Sequence, residues 1–320
     1  ARAAGSAVMT AETPTVEVPV TGEERQARVT WRHVARALVR EPVVLLAVIF
    51  LAVLAIAVVF APWLAPYDPL QPNIFSGRLA PLSTVPGPGG VDQFHVLGTD
   101  ALGRDMLSRL MYGARPSISI ALGAVALSAV VGTTLGLFAG FYGGRVETVI
   151  MRIVDGIMAV PSLLVALYVL FLIGGGVVNL VLILAFARWV VFARLARGIT
   201  LSYRDSSLVE AARSIGATDL RIILRHILPN LVAPLLVLAT LEIALLILAE
   251  AGLSFLGFGL QPPEPSWGLM IARGREYLRE AWWMITFPGL GLFLTTLSLN
   301  LFAGWLRTIT DPVQRWRWLI

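Results

Sequence analysis

Six apolar stretches, each long enough to cross a bilayer, constrain this chain more than any other feature: residues 43–63, 117–141, 149–173, 177–199, 231–251 and 284–306. A spanning helix needs about 20 mostly apolar residues to cover about 30 Å of hydrocarbon, because lipid offers no partner to an unpaired backbone amide or carbonyl. The composition agrees. Hydrophobic residues make up 57% and charged residues 14% of the chain, where an average soluble domain carries about 25% charged residues. The expected fold is an all-α polytopic membrane protein with about six transmembrane helices.

The residues that are missing narrow the chemistry. The chain has no lysine, which high-GC codon usage accounts for, yet one consequence follows: a phosphate-binding P-loop needs its lysine to reach the nucleotide. ATP-driven work would fall to another subunit. There is no cysteine, hence no disulfide, thiolate metal site or cysteine nucleophile. His33, His95 and His226 are too scattered for a metal pair at helical spacing. Gly252-Leu-Ser-Phe-Leu-Gly257 has the wrong spacing for a serine nucleophile elbow.

Arginine placement orients the chain. With the N-terminus in the cytoplasm, the inside holds Arg25, Arg28, Arg32, Arg36, Arg40, the arginines of 194–225 and those of the tail. The outside keeps the smaller share, Arg78, Arg104, Arg109, Arg115, Arg273, Arg275 and Arg279. That imbalance follows the positive-inside rule and predicts cytoplasmic termini. Within a cytoplasmic segment 1–42, residues 1–23 read as disordered, with Met9 a candidate natural start. Residues 24–40 carry arginine every fourth position opposite Trp31, Val34 and Leu38, the pattern of a helix lying in the membrane interface. A first helix 43–63, an extracytoplasmic loop 64–116 with an exposed Pro-Gly-rich run at 86–90, a core 117–306 and a cytoplasmic tail 307–320 complete the expected organisation.

Between the fourth and fifth apolar stretches lies a polar connector, 200–230. Residues 208–215 should form a short helix that Gly216 ends, and a second should run from Asp219, as its N-cap, to Leu228, with Pro229 opening the next span. Glu210-Ala-Ala-Arg-Ser-Ile-Gly216, followed by Arg225-His-Ile-Leu-Pro-Asn230, resembles the EAA loop of ABC importer permeases and is most similar to its dipeptide, oligopeptide and nickel branch. His226 replaces the isoleucine of the general motif, as is usual in that branch. Two further signatures resemble the same branch in the same order. Leu97-Gly98-Thr99-Asp100-Ala-Leu-Gly103-Arg104-Asp105, continuing to Arg109 and Arg115, precedes the second span. Gly252-Leu-Ser-Phe-Leu-Gly-Phe-Gly259 to Pro263 and Trp267 follows the fifth. The ending from Asn300 to Pro312 keeps Leu306-Arg307 and Asp311-Pro312 but has Ala303-Gly304 where the family has Gly-Asp.

The alternating charges Asp100, Arg104, Asp105 and Arg109 should pair locally and order a helix entry. Arg152 and Asp155, three apart, should pair with each other, and at least one of Glu242 and Glu250 should face protein or water. Glycines 252, 257 and 259 should allow tight packing, Pro262 and Pro263 should end a helix, and Trp282 and Trp283 should anchor the last span at the interface.

The resemblance implies the C-type permease subunit of a peptide-class importer, non-catalytic itself, in the bacterial cytoplasmic membrane. Its implied partners are the lipid bilayer, a second homologous permease, two cytoplasmic ATPase subunits carrying ATP and magnesium, and an extracytoplasmic solute-binding protein; no cofactor is bound by this chain and no nucleic acid is involved. Glu210, Ala211, Ala212, Arg213, Gly216, Ala217, Arg221, Leu228 and Pro229 would carry ATPase coupling, with Ala211 and Ala212 entering a groove on the ATPase. Gly98, Thr99, Asp100, Gly103, Arg104, Asp105 and Arg109 form a structural signature. A secondary transporter would instead show inverted repeats with broken helices, and an intramembrane enzyme a convergent Ser/His or carboxylate/His set. Neither is evident.

Overall fold

The computed structural model of the protein describes residues 37–86 and 92–310. Most of the N-terminal segment, most of the Pro-Gly-rich run and the tail from residue 311, with the expectations attached to them, lie outside the described residues. Among the described residues, five helical runs are long and apolar enough to cross a membrane. The first is α1 (Pro42–Val59), followed after a break at Phe60 by the single turn α2 (Ala61–Leu64). Next come α3 (Met106–Tyr142), α4 (Gly144–Met158), α5 (Ser162–Ile173) and α6 (Val177–Arg204). The connector holds α7 (Ser207–Ser214) and α8 (Asp219–Ile222), a π-helical turn covers Ile223–Ile227, and α9 (Leu228–Phe255) continues from it. On the other side α10 (Trp267–Gly274) leads to α11 (Trp283–Thr310).

The structure corrects the third expected span, 149–173, which is not one straight helix. α4 and α5 meet at an angle of 80°. Pro161 has no amide to donate and disfavours helical geometry at Val160, so the helix breaks across Ala159–Pro161. The pairing expected between Arg152 and Asp155 is also absent: an Asp155 oxygen accepts from Arg194 Nη2 at 2.8 Å. α4 leans on the C-terminal third of α6, where Arg194 and Arg197 share a face. Arg197 Nε donates to Glu147 at 2.7 Å.

The second connector helix does not stop short of Pro229. Residues from Asp219 to Phe255 form one helical run, because Pro229 falls in the first turn of α9 and the preceding turn is π-helical. Thr218 rather than Asp219 is the N-cap residue; Asp219 opens the helix, where a negative charge suits the helix dipole. Strand structure enters as well. β1 (Ser83–Pro86) and β2 (Asp92–His95) pair antiparallel, with Ser83 opposite His95, so the loop between α2 and α3 carries a hairpin.

The tightest helix crossing joins α3 to α6. A Cβ placed on Gly132 would lie 2.2 Å from the Trp189 carbonyl oxygen, one on Gly136 2.4 Å from that of Ala193, and one on Gly140 2.7 Å from Thr200 Cβ. Three glycines at four-residue spacing thus let two backbones approach without side chains between them. The main core gathers around this pair, with Ile120, Ala124, Phe192, Leu246, Trp267 and Trp283 buried. Trp283 is therefore no interfacial anchor: its Nε1 donates to the Thr99 carbonyl at 3.0 Å, and only Trp282 is exposed. Nor does Gly252 serve a close approach, since a Cβ there would meet nothing within 4 Å. α9 ends at Phe255, before Pro262 and Pro263.

Candidate functional site

The connector is a packed unit. Val209 and Ala212 of α7 bury against Ile222, Ile223, Ile227 and Leu231 and against Leu137, Phe141 and Ala196 from the C-terminal ends of α3 and α6. Arg213 lies over the Phe141 ring at 5.4 Å. α7 closes with a Schellman motif: Ala217 N–H donates to the Ala212 carbonyl at 3.0 Å, Gly216 N–H to that of Arg213 at 2.9 Å, and Gly216 takes φ of +79°. A side chain there would be strained in that conformation. Nearby, the hydrogen bond from Arg204 holds the Asp205 carboxyl below its usual range.

This packing divides the residues expected to couple. Glu210, Ala211, Arg213, Gly216, Arg221 and Pro229 are exposed, Ala217 and Leu228 are half-buried, and Ala212 is buried. Ala212 therefore cannot enter a partner's groove, as the sequence reading had it; it packs under α7 against this chain's own core. The outward face is made by Glu210, Ala211 and Ser214 together with Ile215, which is 86% exposed. The sequence reading did not single out Ile215. Its signal was available, an isoleucine four residues after Ala211 in an otherwise polar connector.

Inside the membrane region both glutamates are buried. Glu250 accepts from Ser117 Oγ and Ser254 Oγ, each at 2.7 Å, tying α3 to α9. Glu242 accepts two N–H bonds from Arg188 of α6, the Nε one at 2.6 Å. Arg188 was the second residue that sequence reasoning passed over, although an arginine inside an apolar stretch demands a partner.

In the loop before α3 the expected charge pairs form, and they organise the loop. Asp100 Oδ2 accepts from Arg104 Nε at 2.7 Å and lies 3.4 Å from Arg109 Nε; its Oδ1 accepts from the amides of Leu102 and Arg104. Asp105 is the N-cap residue of α3, accepting from Ser108 N at 2.7 Å, and its other oxygen bonds His95 Nδ1 at 2.9 Å. Arg109 reaches the Pro69 carbonyl at 3.0 Å, Thr99 Oγ1 donates to that of Ser76, and Gly98 and Gly103 fit where a Cβ would collide with the carbonyls of Leu79 and Asn73. Each charge here is satisfied within the loop, so the signature is a clasp that ties residues 69–105 to the start of α3.

The chain is similar to known transport permeases. Residues 132–316 match the family described as binding-protein-dependent transport system inner membrane component, and residues 30–81 match the N-terminal transmembrane domain of oligopeptide transport permease C. A di/tripeptide transport system permease of Pseudomonas aeruginosa is 42% identical over 82% of this chain and 86% of its own length. A glutathione transport system permease of Pectobacterium atrosepticum is 39% identical, over 90% of this chain and 93% of its own. Among solved structures, an inward-facing methionine ABC transporter aligns over 64% of this chain and 98% of its own, with a TM-score of 0.52 and 19% identity, a likeness of fold.

Proposed function

The chain belongs to the binding-protein-dependent inner membrane component family, and from that premise we propose that it is the permease subunit through which peptides or related small solutes enter a bacterial cell across the cytoplasmic membrane. It lines half of the translocation path, and a second, homologous permease lines the other half. Two cytoplasmic ATPases supply the work from ATP and magnesium, and a solute-binding protein delivers cargo from outside. Both termini lie in the cytoplasm.

The observation that carries the coupling role is the outward face of α7. Glu210, Ala211, Ser214 and Ile215 point away from the chain, while Val209 and Ala212 lock the same helix to the ends of α3 and α6. An exposed isoleucine beside a small alanine suits a groove on a soluble partner, and Glu210 can pair with a basic group at its rim. Because α7 is packed rigidly beneath, displacement by the ATPase moves α3 and α6 with it. A ligand-driven switch needs such a differential contact between states.

The Ile215→Asp variant tests this. It should insert and accumulate normally, lose most ATPase co-purification and abolish uptake, while Leu82→Asp, an exposed change in the outer loop, should leave ATPase attachment unchanged. Normal assembly and uptake by Ile215→Asp would falsify the assignment of this face.

A further inference from the structure

Arg188 and Glu242 stand near the middle of α6 and α9, about eleven and fourteen residues from the ends of their helices, or roughly 16–21 Å at 1.5 Å per residue. The pair is unequal. The Glu242 side chain is 3% exposed and the Arg188 side chain 27%. Two guanidinium nitrogens, Nε and Nη2, are engaged by the carboxylate, which leaves the N–H groups of Nη1 directed away from it. Arg188 lines an open cavity of about 350 Å³ with Ser162 and Ala166 of α5, Leu184 of α6, and Leu245 and Ala249 of α9. A half-open guanidinium at that depth cannot face hydrocarbon, because a charge there costs several kcal/mol unless water or protein meets it. The face formed by α5, α6 and α9 is therefore turned to water or to another protein, not to lipid.

Resting on the reading of the chain as a solute permease, we propose that Arg188 is a transit site for the carboxylate of the passing cargo, held by Nη1 while Glu242 keeps the other edge of the guanidinium occupied. The chemistry explains the pairing. A lone buried arginine would hold an anion too firmly for release, whereas a guanidinium already neutralised by Glu242 offers directional N–H groups without net charge. Conduction needs binding strong enough to admit a solute and weak enough to let it leave. The apolar remainder of the cavity, leucine and alanine, makes no further demand on side-chain identity, as a path for varied cargo requires.

The test uses the complete transporter in liposomes and exploits the cysteine-free chain. Cysteines at Ser162 and Ala249 are challenged with two small thiol reagents, carboxyethyl methanethiosulfonate and its trimethylammonium counterpart, with Val53→Cys on the exposed face of α1 as the lipid-side control. Both reagents should react at 162 and 249 and neither at 53. Glu242→Gln should raise the ratio of carboxylate to cation rate by about sevenfold, because one unpaired charge roughly 7 Å away in water changes each rate by about threefold in opposite directions. Arg188→Gln should lower it, and Arg188→Lys should hold it near the starting value. Absence of reaction at both 162 and 249, or a ratio indifferent to all three substitutions, overturns the proposal. Co-purification of the ATPases with each variant is scored separately, so loss of the permease reading is distinguishable from loss of the transit site.

Discussion

Asp105 shows how much a single side chain can settle. One oxygen caps α3 through Ser108 N and the other bonds the buried His95, so Asp105→Ala removes a helix cap and strands a buried imidazole. A lost cap costs about 0.5–2 kcal/mol and a buried group left unpaired about 1–3 kcal/mol. The variant should show an unfolding midpoint several degrees lower in detergent, read by tryptophan fluorescence; an unchanged midpoint removes the clasp role. Ala212 carries the opposite lesson. Its place in the motif was legible from sequence, and its direction was not, because which side of an eight-residue helix is buried depends on Leu137 and Phe141, some 70 residues earlier.

Among the elements, the α3–α6 crossing is the least tolerant of change. A Cβ on Gly136 would sit 2.4 Å from the Ala193 carbonyl oxygen and 2.8 Å from Ala196 Cβ, and neither atom can rotate away. Gly136→Val should force the helices apart at a cost of about 1–3 kcal/mol or more. It should reduce the yield of monodisperse protein, while Gly198→Val, at a position with open space around it, should not; equal yields would remove the crossing as a constraint. The bend between α4 and α5 belongs to this scale too. Hydropathy alone made 149–173 one span, since the two halves together are apolar enough, and Pro161 was the signal that could have divided it.

For the whole molecule, the decisive property is which end faces which compartment. The arginine distribution predicts that the connector lies in the cytoplasm and the clasp outside. Single cysteines at Thr84 and Ser207, both exposed, should react with an impermeant thiol reagent from opposite faces of sealed cells and inverted vesicles, Thr84 from outside. Labelling of position 207 from outside reverses the topology and places α7 beyond reach of cytoplasmic partners.

The sequence by itself determined the membrane-spanning helical class, the connector helix ended by Gly216 and the local pairing of Asp100 with Arg104, because hydropathy, cap chemistry and charges a few residues apart act within one or two helical turns. Only the tertiary structure decided that Asp155 bonds Arg194 rather than Arg152, that Arg188 meets Glu242 across 54 residues, that Trp283 is buried and that Ile215 rather than Ala212 faces outward. In each case the deciding partner comes from another helix, and the energy that selects it, ion pairing at short range or exclusion of a side chain from a tight crossing, exists only once the helices have packed.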